Sequence, residues 1–231
     1  MTTTGHSLDE AVSAALPEAG RVRLAELIEQ VCREPAAVHR LFPAAARLVG
    51  RGPLDPADPT GIVGPTLDDA VRGILLEALA TARAGEPGAL LEDVEALYRN
   101  GDADEKRAAL RALPCLGLGQ AALPLLHDAL RTNDTRLVGA AMGDAGTVQL
   151  DAATWRQGVL KCLFVGVPLS AVYGLRSRAD AELARMVAAY AIERLAAGRD
   201  VPADALRVLA DFPDVVSASG LDGCLPEPAP R

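Results

Sequence analysis

From Thr66 onward the apolar residues of this chain return every three to four positions, and they do not alternate with polar ones as a half-buried strand requires. Leu67, Val71, Ile74, Leu75 and Ala78 form one such stripe. Leu90, Leu91, Val94, Leu97 and Tyr98 form another, and Leu183, Met186, Val187, Tyr190, Ala191 and Leu195 a third. Half of the 231 residues are apolar but only 3% are aromatic. A core must therefore be built from Ala, Leu and Val, which suit closely approaching helices better than sheet faces. The expected class is all-α, with ten or more helices packed as antiparallel hairpins.

Proline and glycine punctuate the pattern. Residues 1–49 read as an N-terminal helical hairpin region, with Leu24, Leu27, Ile28 and Val31 on one face and Val38, Leu41 and Phe42 continuing after Pro35. Residues 50–65 hold four prolines and four glycines, which removes helical hydrogen bonding and marks a linker or a lid, the mobile linker being the stronger reading. Residues 66–213 read as a helical domain that opens at Thr66, a capping residue followed by Asp68 and Asp69 in the first turn. Within it, Asp102 to Asn133 reads as a helix, a Pro-Gly exit and an antiparallel partner. TNDTRLVGAAMGDA echoes GDADEKRAALRALP about 30 residues later, in the manner of stacked repeats. The architecture this predicts is a HEAT-like α-solenoid. Residues 214–231, rich in Ser, Gly and Pro, read as a flexible tail.

A net charge of −8 and a pI near 4.9 argue against nucleic acid, because phosphate-backbone binding needs a concentrated basic surface. Cys32, Cys115, Cys162 and Cys224 are scattered without C-x-x-C spacing, so no zinc site and no cofactor are expected. Cys162 reads as a core residue and Cys224 as an available thiol. The acidic pairs Asp68-Asp69, Glu92-Asp93 and Asp102-Asp104 are explained by helix starts rather than by a metal. No apolar leader opens the chain, and its most apolar window, Cys162 to Leu175, is broken by Pro168. A cytoplasmic location follows, with peripheral membrane contact left open.

Chemistry concentrates in WRQGVLKCLFVGVPLSAVYGLRSRADAELARMVAAYAIERLAAGR, residues 155–199. It holds the chain's one Trp, one of its two lysines, a Gly-Val-Pro break and an Arg-rich connector. Gln157 and Lys161, four apart, project from one side of a helix. If the break folds the chain back, Arg156, Lys161, Arg176 and Arg178 could converge beside Trp155 on an anionic or polar ligand or partner. The bland alternative makes Trp155 a packing anchor and pairs the cations with Asp180, Glu182 or Asp151.

This stretch, together with FPAAARLVGRGPL at residues 42–54, resembles the EboA family, bacterial proteins encoded in small gene clusters linked to metabolite production and export. The resemblance is strongest from Asp151 to Arg199, moderate across Phe42 to Leu54 and Thr66 to Thr132, and negligible after Asp214, and the connector GDAGTVQLD, residues 143–151, departs from it. It implies a non-catalytic binding or scaffolding component in the biosynthesis or export of a specialised metabolite. Its partners would be other proteins of its cluster or a small anionic or polar metabolite. Two alternatives stand beside it: an enzyme or small-ligand carrier acting on a polar or prenylated metabolite, and a generic protein-interaction solenoid.

Overall fold

Helices begin and end in this chain where side chains supply or withdraw backbone hydrogen bonds. The computed structural model describes residues 10–144 and 149–224, and among these the one pairing of extended backbone is an isolated bridge between Pro53 and Thr66. After a helical turn over residues 10–15, α1 (Glu18–Arg33) and α2 (Val38–Leu48) flank a 3-10 turn opened by Pro35. They bury Leu24, Leu27, Val31, Leu41 and Phe42. The helix α3 (Leu67–Ala82) starts in a reciprocal capping box: the Thr66 hydroxyl accepts from the Asp69 amide while the Asp69 carboxylate accepts from the Thr66 amide. Helix α4 (Pro87–Asn100) follows, and α5 (Ala103–Ala112) repeats the box with Asp102 and Glu105.

Next come α6 (Leu123–Arg131) and α7 (Thr135–Met142), the latter capped by Asp134. Asp151 caps α8 (Ala152–Val165), which stops at Gly166. There the backbone turns left-handed (φ 81°), and the amides of Gly166 and Val167 both donate to the Cys162 carbonyl. A short α9 (Leu175–Arg178) leads to α10 (Ala181–Ala196), capped by Asp180, then to α11 (Ala203–Ala210) and α12 (Pro213–Ala218). Of residues 214–231, those up to 224 are described. Val215 and Val216 pack against the core and Leu221 is buried, while residues 225–231 lie outside the described set.

Helices touch not only their sequence neighbours but also the helix after next. The three most extensive contacts join α3 to α5, α1 to α3 and α5 to α7; α7 also packs on α8, while α2, α4 and α6 each lean on the helix that follows. Row helices are consequently buried on several sides. Six consecutive residues of α7, Leu137 to Met142, are buried, and small residues make this possible. At Gly139 a Cβ would come within 2.8 Å of the Ile62 carbonyl oxygen, so a backbone crosses that face at a distance only glycine permits.

The crossing backbone belongs to the Pro- and Gly-rich segment. Asp58 folds it on itself by accepting the amides of Ile62, Val63 and Gly64 at 3.0, 2.8 and 2.7 Å. The Leu67 amide donates to the Gly52 carbonyl. Arg107 donates to the Thr60 carbonyl, and Arg111 to the carbonyls of Gly61, Ile62 and Val63. The segment between α2 and α3 is thus a strap laid over the α5 and α7 row. Its own backbone cannot form a helix, so its polar groups are met by side chains from the row beneath it.

Candidate binding site around helix α8

Helices α8 and α9 carry the sequence-predicted residues, and the structure gathers all of them but Arg176 into two neighbouring groups. Trp155 is buried, 1% exposed, and the Arg178 guanidinium lies over its ring, 4.7 Å from the centroid. Arg178 also donates to the Leu150 carbonyl, which ties α9 to the start of α8. Burial, together with the nearby charge of Arg156, lowers its pKa against the opposing pull of Asp151. Arg156 grips Asp180 through Nε and Nη2, with three contacts between 2.5 and 3.1 Å. The Arg156 contact is the largest cause holding the Asp180 carboxyl at about 2, and the Leu183 amide that Asp180 caps adds to it. Trp155, Arg156 and Arg178 therefore meet at the joint between α8, α9 and α10.

Gln157 and Lys161 face the other way along α8. With Leu130 of α6 and Thr154, Gly158, Leu160 and Phe164 of α8 they line a hollow of about 290 Å³. The Lys161 amine donates to the Asn133 side-chain oxygen at 2.6 Å, and Phe164 is 60% exposed with its ring edge-on to Tyr190. Arg176, on α9, is exposed and joins neither group through a hydrogen bond or ion pair among the described residues. The Cys162 thiol points into the core, and burial pushes its pKa to about 12, so it offers no thiolate here.

A second polar cluster has no counterpart in the sequence-derived set. Arg107 (4% exposed) donates to Asp69 (0% exposed) at 2.7 Å and to the Thr66 hydroxyl at 3.2 Å. One Asp69 oxygen and the Arg111 Nε are buried without a hydrogen-bond partner among the described residues. The dipole of α3 accounts for an acid in its first turn but not for a fully buried one. The available signal was the pair Arg107 and Arg111, four apart on a short helix that also presents Ala108 and Leu110. Among the described residues no group of three or more His, Cys, Asp or Glu is arranged to hold a metal, and no helix is long and apolar enough to cross a membrane.

A row of short helices, with no strand among the described residues, defines an all-α protein whose α8 region carries an indole-centred joint and an adjoining hollow. Residues 64–210 match the family described as metabolite traffic protein EboA, and the chain belongs to that family. No curated protein matches the chain, and no solved structure does.

Proposed function

We propose that this chain is a non-catalytic binding or scaffolding component in the biosynthesis or export of a specialised metabolite. In this reading it works as a HEAT-like solenoid in the cytoplasm. The alternation of helix contacts along α1, α3, α5, α7 and α8 supports the solenoid reading. The family's description as metabolite traffic proteins supports the role. The binding surface is the α8–α9 region with Trp155, Arg156, Gln157, Lys161, Arg176 and Arg178.

The observation that carries this reading is the division of labour among those residues. Arg156 and Arg178 are held by Asp180, the Leu150 carbonyl and the indole. They rigidify the joint, while Gln157 and Lys161 stand at a hollow whose remaining walls are largely apolar. One amine and one amide on an apolar surface suit the capture of a small anionic or polar metabolite, or of a partner side chain with the same character.

Replacing Gln157 and Lys161 together by Ala in the native host tests this. Metabolite production or export should fall severely while the thermal midpoint moves by less than about 4 °C, the equivalent of ~1 kcal/mol for a chain this size. Full output from a normally folded variant removes the site. Mass spectrometry of a pathway extract incubated with the purified chain separates the rival enzyme reading. A retained, chemically unchanged compound supports binding, and conversion to a new mass supports catalysis.

A further inference from the structure

A second hollow lies on the other side of α6, between α4, α5 and α6, with a volume of about 520 Å³. Its walls run against the charge of the molecule. In a chain of net charge −8, it gathers Arg99, Lys106, His127 and Arg131 around a single carboxylate, Asp128. That carboxylate is already engaged, since the Tyr98 hydroxyl donates to it at 2.9 Å. Arg99 is engaged as well, by Glu95 at 2.7 Å. Lys106 and Arg131 have no hydrogen bond from their charged groups and no ion pair among the described residues. The Lys106 amine is instead held over the Tyr98 ring, 5.4 Å from its centroid.

Tyr98 is what makes this a built site rather than a chance meeting of surface cations. Its ring is 2% exposed and fixed at the hollow's floor, and its hydroxyl is locked by Asp128. Burial, then the Asp128 contact, pushes its phenol pKa upward, so the ring stays neutral beneath the amine well above neutral pH. Leu125, also buried, adds an apolar floor. His127 and Arg131 sit four apart on α6 and so project from one face across the hollow from Lys106 on α5. An amine and a planar guanidinium lining one hollow are the pair that a phosphoryl group satisfies, the first as a point charge and the second as a fork.

We propose that this hollow binds a small phosphorylated metabolite, with its phosphate or diphosphate between Lys106 and Arg131, His127 alongside, and its apolar portion against Leu125 and Tyr98. The site is separate from the α8 hollow and does not depend on it: α6 contributes Leu130 to that one and His127 and Arg131 to this one.

Titration of the full chain with inorganic pyrophosphate, followed by calorimetry and by phosphorus NMR, tests the proposal. Saturable one-site binding is expected. Lys106→Ala with Arg131→Ala should weaken it at least tenfold. A control that removes the same two charges elsewhere, Arg47→Ala with Arg199→Ala, should change affinity less than twofold. Should the Lys106 and Arg131 double variant fold poorly, Lys106→Gln alone, on the half-exposed face of α5, provides the reading, with at least a threefold loss expected. Absence of binding by the native chain overturns the proposal, as does an equal loss in the control. Binding to phosphatidylglycerol vesicles without any to pyrophosphate overturns it too, since the hollow would then serve a membrane surface.

Discussion

Asp180 performs two tasks with one carboxylate, capping α10 through the Leu183 amide and holding Arg156. Only the second needs its charge. Its pKa lies at about 2, below the usual carboxylate value near 3.9, so the charged form is preferred in the folded state. The sign follows from linkage: the contribution is complete above about pH 4 and is lost as the pH falls toward 2. Asp180→Asn keeps a capping side chain and removes the ion pair. Chemical denaturation at a series of pH values should show the variant less stable than the native chain at pH 7, with the gap closing as the pH falls from about 5 to 2. A gap independent of pH would assign the stabilisation to the cap. The pairing of Arg156 with Asp180 was open to sequence reading because both flank one Gly-Pro break. The contact between Asp69 and Arg107 was not, because 38 residues separate them and nothing local distinguishes a buried acid from one that serves only the helix dipole.

Among the elements, those with local causes were legible. The cap at Thr66, the stop at Gly166 and the stripe of Leu90, Val94, Leu97 and Tyr98 appear in the structure where their spacing puts them. The strap over residues 50–65 shows what composition leaves out. Proline and glycine report that the backbone lacks helical hydrogen bonds, but they say nothing of donors supplied some 50 residues later. Desolvation pushes the Asp58 carboxyl upward, but the amides of Gly64, Ile62 and Val63, with the charge of Arg111, outweigh it and hold the group low. Arg111 is the donor most directly tied to strap carbonyls, and its pKa is lowered, by burial first. Arg111→Ala should therefore release residues 60–64 before it unfolds anything else. Limited proteolysis read by mass spectrometry should show cleavage within residues 51–65 at least several times faster than in the native chain, with cuts in α10 unchanged. Equal nicking in both chains would mean that the arginine contacts do not hold the strap.

Across the whole molecule, one cluster of buried side chains runs from Val12 to Leu221 without a break, crossing every helix of the row. Continuity of this kind couples the ends, whereas a chain of weakly joined repeats would melt in stages. The single Trp makes the distinction measurable, because its fluorescence reports only the joint at α8 while far-UV circular dichroism reports all the helices. The two denaturation curves should coincide in midpoint and slope, and an earlier fluorescence transition would show the α8–α10 end unfolding alone. The strap has a consequence of a different kind. The family match begins at residue 64, so most of the strap lies outside it while Asp69, Arg107, Arg111 and Gly139 lie inside. Arginine grips the strap by carbonyl oxygens, which every amino acid presents alike, and Gly139 meets it at a carbonyl as well. Apart from Asp58, whose carboxylate folds the segment, and Gly61, where a Cβ would meet Thr66 at 2.6 Å, its letters can change without altering the contacts that hold its path, and the substitutions that would release the strap are to be sought in the helices beneath it.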